Sequence, residues 1–314
     1  MPRPPSKISI RQMEMIWAIL NHGTMAKAAK VLNISQPAIS RMVKHAEDRS
    51  GLQLFERRGT RLVPTAHLQA LSAEFARVFH NVDRVQRLAT ALQEGWGRPI
   101  RVSSMAMLAG TFLTRAIAQL RADHQLTPAV VKLNHRTGVE QDIQSDDFDI
   151  GLVHGVSESE TLHAEPLCLG RVVCLLPAGH PLAGRPEVGP SDLADQEIIS
   201  MGRMSPLSNK VNAVFEAELQ SRRIAVQTAD SRLAAQFAAE GLGIALLDPF
   251  FLESGVPEGL VVRPFAPRIT TTCFAIYQRN RPLTGPETAL MASLHVAASA
   301  WQKRFEALIS GAQG

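Results

Sequence analysis

Cysteine is scarce in this chain: Cys168, Cys174 and Cys273 are the only three among 314 residues. An odd, sparse set excludes a disulfide framework and points to a reducing cytoplasm. The five residues between the first two lack the paired spacing of a zinc site, so buried small hydrophobes are expected. Long apolar runs are absent too. None reaches the roughly 18–20 residues that cross a bilayer, so no membrane partner is expected. The stretch Met1 to Ser6 is proline-rich and has no apolar h-region, which argues against a signal peptide. The ten histidines are scattered, and there is no glycine-rich phosphate loop, i,i+4 metal-ligand pair or nucleophile elbow. No catalytic residue, cofactor or metal is therefore expected. An α/β enzyme and a free-standing solute-binding protein stay as alternatives.

What is present is an uneven charge. The chain carries a formal +4. Residues 1–65 hold 11 basic and 4 acidic side chains, a net of +7, which leaves −3 for the remainder. A small basic head on a mildly acidic body points to a local polyanion-binding module.

The head reads as three helices and a hairpin. Ser9 with Gln12 forms a capping box before Ile10, Met13, Trp17 and Leu20, which recur at helical spacing until His22 and Gly23. Thr24 caps a short alanine-rich helix, Asn33-Ile34 makes a tight connection, and Ser35 caps a third helix reaching about Arg49. The pair matches a helix-turn-helix. On the third helix Ile39, Met42, Val43 and Ala46 can face a core, leaving Gln36, Ser40 and Lys44 with Pro37 and Arg41 on the exposed side. Gln and Arg pair bidentately with adenine and guanine edges. The segment 54–64 then reads as a wing, with Arg57, Arg58 and Arg61 around a glycine turn, able to reach phosphates or a minor groove of double-stranded DNA.

From Thr65 the apolar positions Leu68, Leu71, Phe75, Val78, Val82, Val85, Ala89 and Leu92 alternate spacings of three and four. That a/d seam predicts a helix over 66–95 that pairs with a second copy of itself, the alternative being packing on its own domain.

Beyond it, β-branched runs alternate with helical patterns. Strands are expected at 99–104, 129–134, 149–153, 172–176, 224–228, 244–247 and 271–277. Helices are expected at 108–121, 139–145, 207–220, 232–240 and 286–308. Such alternation implies α/β domains with ligands at the carboxyl ends of strands. The expected organisation is a DNA-binding head over 1–65, a linker helix over 66–95 and an effector domain over 98–308. The last divides into one subdomain of about 98–168 plus 268–308 and another of about 169–267, with a cleft between them.

Gln36-Pro37-Ala38-Ile39-Ser40-Arg41, Gly51-Leu52-Gln53-Leu54-Phe55-Glu56-Arg57 and Leu62-Val63-Pro64-Thr65 together resemble the LysR-type transcriptional regulators of bacteria. Asp147-Phe148-Asp149-Ile150-Gly151-Leu152 and Gly241-Leu242-Gly243-Ile244-Ala245 are similar to further landmarks of that family. His67 departs from the glycine usual there, a change a helix tolerates. The resemblance implies an α/β protein with an N-terminal winged helix-turn-helix, a long linker helix forming the dimer, and a two-subdomain effector domain of periplasmic-binding-protein type. It also implies a homotetramer that bends DNA and changes its contact with RNA polymerase when a small inducer binds.

Leu247-Asp248-Pro249-Phe250 stands where most of the family has Leu-Pro. With Val173-Cys174-Leu175-Leu176-Pro177-Ala178-Gly179-His180, it resembles the branch regulating octopine, nopaline and lysine metabolism. The inducer this implies is an amino acid or opine-like conjugate, with a simple organic or aromatic carboxylate as the alternative. Asp248 beside Pro249 can pair with an ammonium or guanidinium group, or simply cap a turn. Backbone N–H groups after Ser103-Ser104, near Met105 and Ala106, can hold a carboxylate, and Ser205 offers a second anion site. His154 either adds a donor or has a structural role.

Overall fold

The structure is a computed structural model and describes residues 8–58, 61–93, 98–123, 128–155, 159–202, 206–217, 222–252 and 255–311. The chain forms two compact units, Met1–Thr90 and Ala91–Gly314.

The first unit is built on α1 (Ile10–His22), α2 (Met25–Val31) and α3 (Gln36–Ser50), followed by β1 (Phe55–Arg58), β2 (Arg61–Pro64) and α4 (Ala66–Gln93). Each expected cap is in place. Ser9 accepts from the Gln12 amide, and Gln12 Oε1 accepts in return from the Ser9 amide at 2.9 Å. Thr24 and Ser35 cap α2 and α3. Asn33 takes a φ of +54° in the turn, the left-handed region that asparagine tolerates better than β-branched residues. Met15, Ile16, Ala28, Ile39, Val43, Leu54, Leu68 and Phe75 close one small core under these elements. Gln12 does more than cap: it is buried, and its Nε2 meets His45 Nδ1 at 3.0 Å, tying α1 to α3.

The second unit contains two five-stranded sheets. The first, in the order β4-β3-β5-β12-β6, joins β3 (Ile100–Ser104), β4 (Ala129–Leu133), β5 (Ile150–His154), β6 (Leu162–Arg171) and β12 (Thr270–Gln278). Its first three strands are parallel, while β12 runs antiparallel to β5 and β6. The second, in the order β11-β7-β10-β8-β9, joins β7 (Val173–Pro177), β8 (Glu197–Ser200), β9 (Arg223–Gln227), β10 (Ile244–Leu247) and β11 (Leu260–Pro264). Helices α5 (Ala106–Leu108), α6 (Thr114–Asp123), α7 (Arg136–Gln144) and α10 (Gly285–Gly311) accompany the first sheet, and α8 (Pro206–Ala217) and α9 (Ser231–Ala239) the second. The chain passes between the sheets at Val172 and returns between Pro264 and Thr270.

Three strands were not expected from the sequence: β6, β8 and β11. In β6, Pro166 and Gly170 interrupt the β-branched pattern, and the ladder with β12 is irregular between Cys273 and Phe274. The helix expected at 108–121 contains a π-turn at Ala109–Leu113 between α5 and α6. There the Thr111 hydroxyl donates to the Phe250 carbonyl at 2.6 Å, with the Met107 carbonyl at 2.8 Å. Gly243 is required where it stands: its φ is +145°, and a Cβ would lie 2.4 Å from the Glu197 carbonyl oxygen.

Candidate DNA interface and effector cleft

Burial divides α3 cleanly. Ile39, Val43 and Ala46 are buried, while Gln36, Pro37, Ser40, Arg41 and Lys44 are all exposed. The stripe follows from the helical repeat: once three apolar positions face the core, residues offset by about half a turn face solvent. Arg57 and Arg58 lie on β1, paired with Leu62 and Arg61 of β2.

The β1–β2 hairpin is fixed to α3 by Glu47, a residue whose role is not visible in its local sequence. Glu47 Oε1 accepts from the amides of Leu54 and Phe55 at 2.8 and 3.1 Å, so α3 and the start of β1 move as one piece. Thr65 closes the other end. Its hydroxyl donates to the Gln53 carbonyl at 2.7 Å and its Oγ1 accepts from the Leu68 amide at 3.3 Å, capping α4.

The apolar seam of α4 splits in two. Leu68 and Phe75 belong to the core of the first unit, Leu71 packs against it, and Phe79 stacks on Trp17 at 6.2 Å. Val78, Val82 and Val85 are 40, 41 and 68% exposed. The first half of the seam therefore packs on its own domain, and the second half presents an unpaired aliphatic stripe.

In the second unit a cleft of about 220 Å³ lies between the two sheets' helices, lined by Met105, Ala106, Met107, Asn134 and His135 on one side and Ala229, Asp230, Ser231 and Arg232 on the other. Both walls are made where a strand gives way to a helix. Asp230 caps α9 through the Leu233 amide at 2.8 Å, leaving the first turn of that helix at the cleft.

Among the expected effector residues, Met105 is at this cleft. Ser103 is sealed behind it, donating to Asp142 Oδ2 at 2.7 Å, and Ser104 is equally buried, its hydroxyl donating to the Met105 carbonyl at 2.9 Å. Burial alone would raise the Asp142 carboxyl, but hydrogen bonds from Lys132, Ser103 and Asn134 hold it below the usual carboxylate value. Asp248 caps the turn Pro249–Phe251. One carboxylate oxygen accepts from the Phe250 amide and the other from the Ser231 hydroxyl, both at 3.2 Å. It is buried and is linked to the cleft lining through Ser231. Pro249 fills the space over Gly170, where a Cβ would lie 2.5 Å from its ring. His154 packs edge-on to Phe250 at 5.6 Å. Burial, then Lys210 and Arg136, lower its pKa against the pull of Asp248. Ser205 lies outside the described residues. Asn134, His135 and the run Asp230-Ser231-Arg232 were missed, although Asp230 three residues before Leu233 is a legible helix cap.

A winged helix-turn-helix joined by a long helix to a two-sheet domain with a central cleft defines a ligand-responsive DNA-binding regulator. Residues 10–67 match the family described as bacterial regulatory helix-turn-helix protein, lysR family, and residues 93–298 match the LysR substrate binding domain. The chain belongs to the LysR family of bacterial transcriptional regulators. It is 28% identical to the transcriptional activator protein LysR of Escherichia coli, covering 90% of each chain. It is 30% identical to the octopine catabolism/uptake operon regulatory protein OccR of Rhizobium meliloti, covering 82% of this chain and 86% of that one. Among solved structures, the LysR-family regulator CbnR superposes with a TM-score of 0.67 at 15% identity, over 92% of this chain and 99% of that one. The chain is thus a DNA-binding transcriptional regulator and not an enzyme. No helix among the described residues is long and apolar enough to cross a membrane.

Proposed function

We propose that this regulator senses an amino acid or an opine-like amino-acid conjugate in the cleft between its two sheets. The observation that carries the reading is the cleft lining, which sets Asp230 and Arg232 against the Asn134 amide and His135. A zwitterion offers the complementary pair of charges. Backbone N–H groups at Ala106 and at the start of α9 receive the ligand carboxylate. Asp248 contributes by orienting the Ser231 hydroxyl rather than by touching the ligand. Octopine- and nopaline-type regulators and LysR among the relatives support this ligand class. A ligand shifts the regulator only by binding one arrangement of the two lobes better than the other.

On the DNA side, Gln36, Ser40 and Arg41 read base edges, Pro37 sets the start of the helix, and Lys44, Arg57 and Arg58 hold phosphates. Two such heads, paired through the α4 stripe, address two half-sites, and a homotetramer presents the DNA to RNA polymerase.

Calorimetric titration with lysine, arginine, octopine and simple carboxylates tests the ligand class. The expected result is saturable binding of an amino acid or conjugate that weakens in Ser231→Ala and Asp248→Asn. Binding of plain carboxylates alone, unaffected by those changes, would replace this reading with a carboxylate inducer.

A further inference from the structure

The larger unit has two lobes, one around each sheet, and a buried hydroxyl ties them. Thr111 lies on the π-turn Ala109–Leu113 of the first lobe and is 1% exposed. Its Oγ1 stands 2.8 Å from the Met107 carbonyl oxygen, on the same helical segment, and 2.6 Å from the Phe250 carbonyl oxygen of the second lobe. A threonine hydroxyl carries one hydrogen, so it donates in full to only one of these acceptors at a time. The two choices act on different scales. Donation to Met107 is local, the back-bond that threonine makes in helices. Donation to Phe250 spans 139 residues of chain and joins the lobes.

Both acceptors lead to the cleft. Met107 lines one wall directly. Phe250 donates its amide to Asp248, which accepts from the Ser231 hydroxyl of the opposite wall. The π-turn also brings Phe112 to the same partner, with its ring centroid 6.1 Å from that of Phe250. Single π-turns within helices occur most often at functional positions.

We propose that Thr111 is a positioning residue for the ligand response, a latch whose hydroxyl exchanges between Met107 and Phe250 as the lobes move. A ligand that touches Met105 on one wall and Ser231 on the other shifts the two carbonyls relative to each other. The hydroxyl keeps an acceptor in either arrangement, so the lobes move without stranding a buried donor. The link to a ligand rests on the cleft as the ligand site proposed above.

Hydrogen exchange read by mass spectrometry on the full-length, unliganded protein tests the latch. Native chain, Thr111→Val and Thr111→Ser are compared. Thr111→Val keeps the branched shape and removes the donor. It should speed exchange by about tenfold or more in residues 105–113 and also in the distant segment 247–252, since each side loses the shared bond. Thr111→Ser keeps the donor and should exchange like the native chain in both segments. Faster exchange confined to 105–113 would reduce the hydroxyl to a local back-bond and overturn the proposal. Native rates in Thr111→Val would overturn it as well, as would equal acceleration in Thr111→Ser, which would trace the effect to packing. If thermal unfolding shows that Thr111→Val does not fold, Thr111→Cys, similar in size and a weak donor, carries the same expectations. No ligand enters these comparisons, so they decide the latch independently of the ligand class proposed for the cleft.

Discussion

The Ser231 hydroxyl donates to Asp248 Oδ2 at 3.2 Å, joining the first residue of α9 to the residue after β10. Both side chains are buried, so neither loses its partner to water without cost. Ser231→Ala leaves a buried carboxylate oxygen one donor short. Unfolding in urea should show a loss of about 1–3 kcal/mol. An unchanged midpoint would mean that water or a neighbour replaces the hydroxyl.

The exposed stripe of α3 makes a separate prediction for sequence reading. Arg41→Ala should relax the preference at one operator position by about 1–3 kcal/mol, measured by binding to a panel of operator variants. Equal weakening on every sequence would assign Arg41 to phosphate instead. Lys44→Ala should weaken all sequences alike and lower the salt slope by about one.

Val82 sits in the middle of the exposed stripe of α4. Placing a charge there opposes burial against a second copy but leaves the core of the head untouched. Val82→Asp should lower the sedimentation mass to that of a smaller assembly, with an unaltered mass locating the pairing surface elsewhere.

His154 sets a pH dependence. Its folded pKa lies below its ordinary value of 6.5, because burial, helped by Lys210 and Arg136, disfavours the charged ring more than Asp248 favours it. A depressed pKa means the contribution to stability is complete above pH 6.5 and declines as pH falls through the lower folded value. The fall in thermal midpoint between pH 7.5 and 5 should therefore be smaller in His154→Gln than in the native chain. Identical falls would show that the ring is not the group responsible.

Local rules made the head legible. Caps at Ser9, Thr24 and Ser35, the apolar repeat of α1 and the polar side of α3 all act within a few residues of each other, and each appears where the sequence places it. What tied these pieces together was not legible. Glu47 reaches seven and eight residues onward to the wing, and Gln12 reaches 33 residues to His45. The α4 seam shows the same limit: its spacing is uniform, but only the tertiary fold decides that Leu68 and Phe75 are taken by the domain and Val82 and Val85 are not.

In the larger unit β3, β5 and β10 read clearly, because strands buried on both faces form short apolar, β-branched runs. The exposed edge strands β4 and β9 read from their β-branched residues alone. The strands β6, β8 and β11 did not. Pro166, Gly170 and Pro264 break the pattern in two of them, and β8 has only four residues.

The sequence by itself determined the class of protein, the reading helix and the basic head, since +7 within 65 residues and a capped helix-turn-helix need no distant partner. Only the tertiary structure decided which polar groups line the cleft. Ser103, Asp248 and Ser231 are similar as letters, yet packing gives Ser103 to Asp142, seals Asp248 behind Ser231 and leaves Ser231 at the cleft. Buried polar groups must find partners, and those partners are chosen by the fold from residues far apart in the chain.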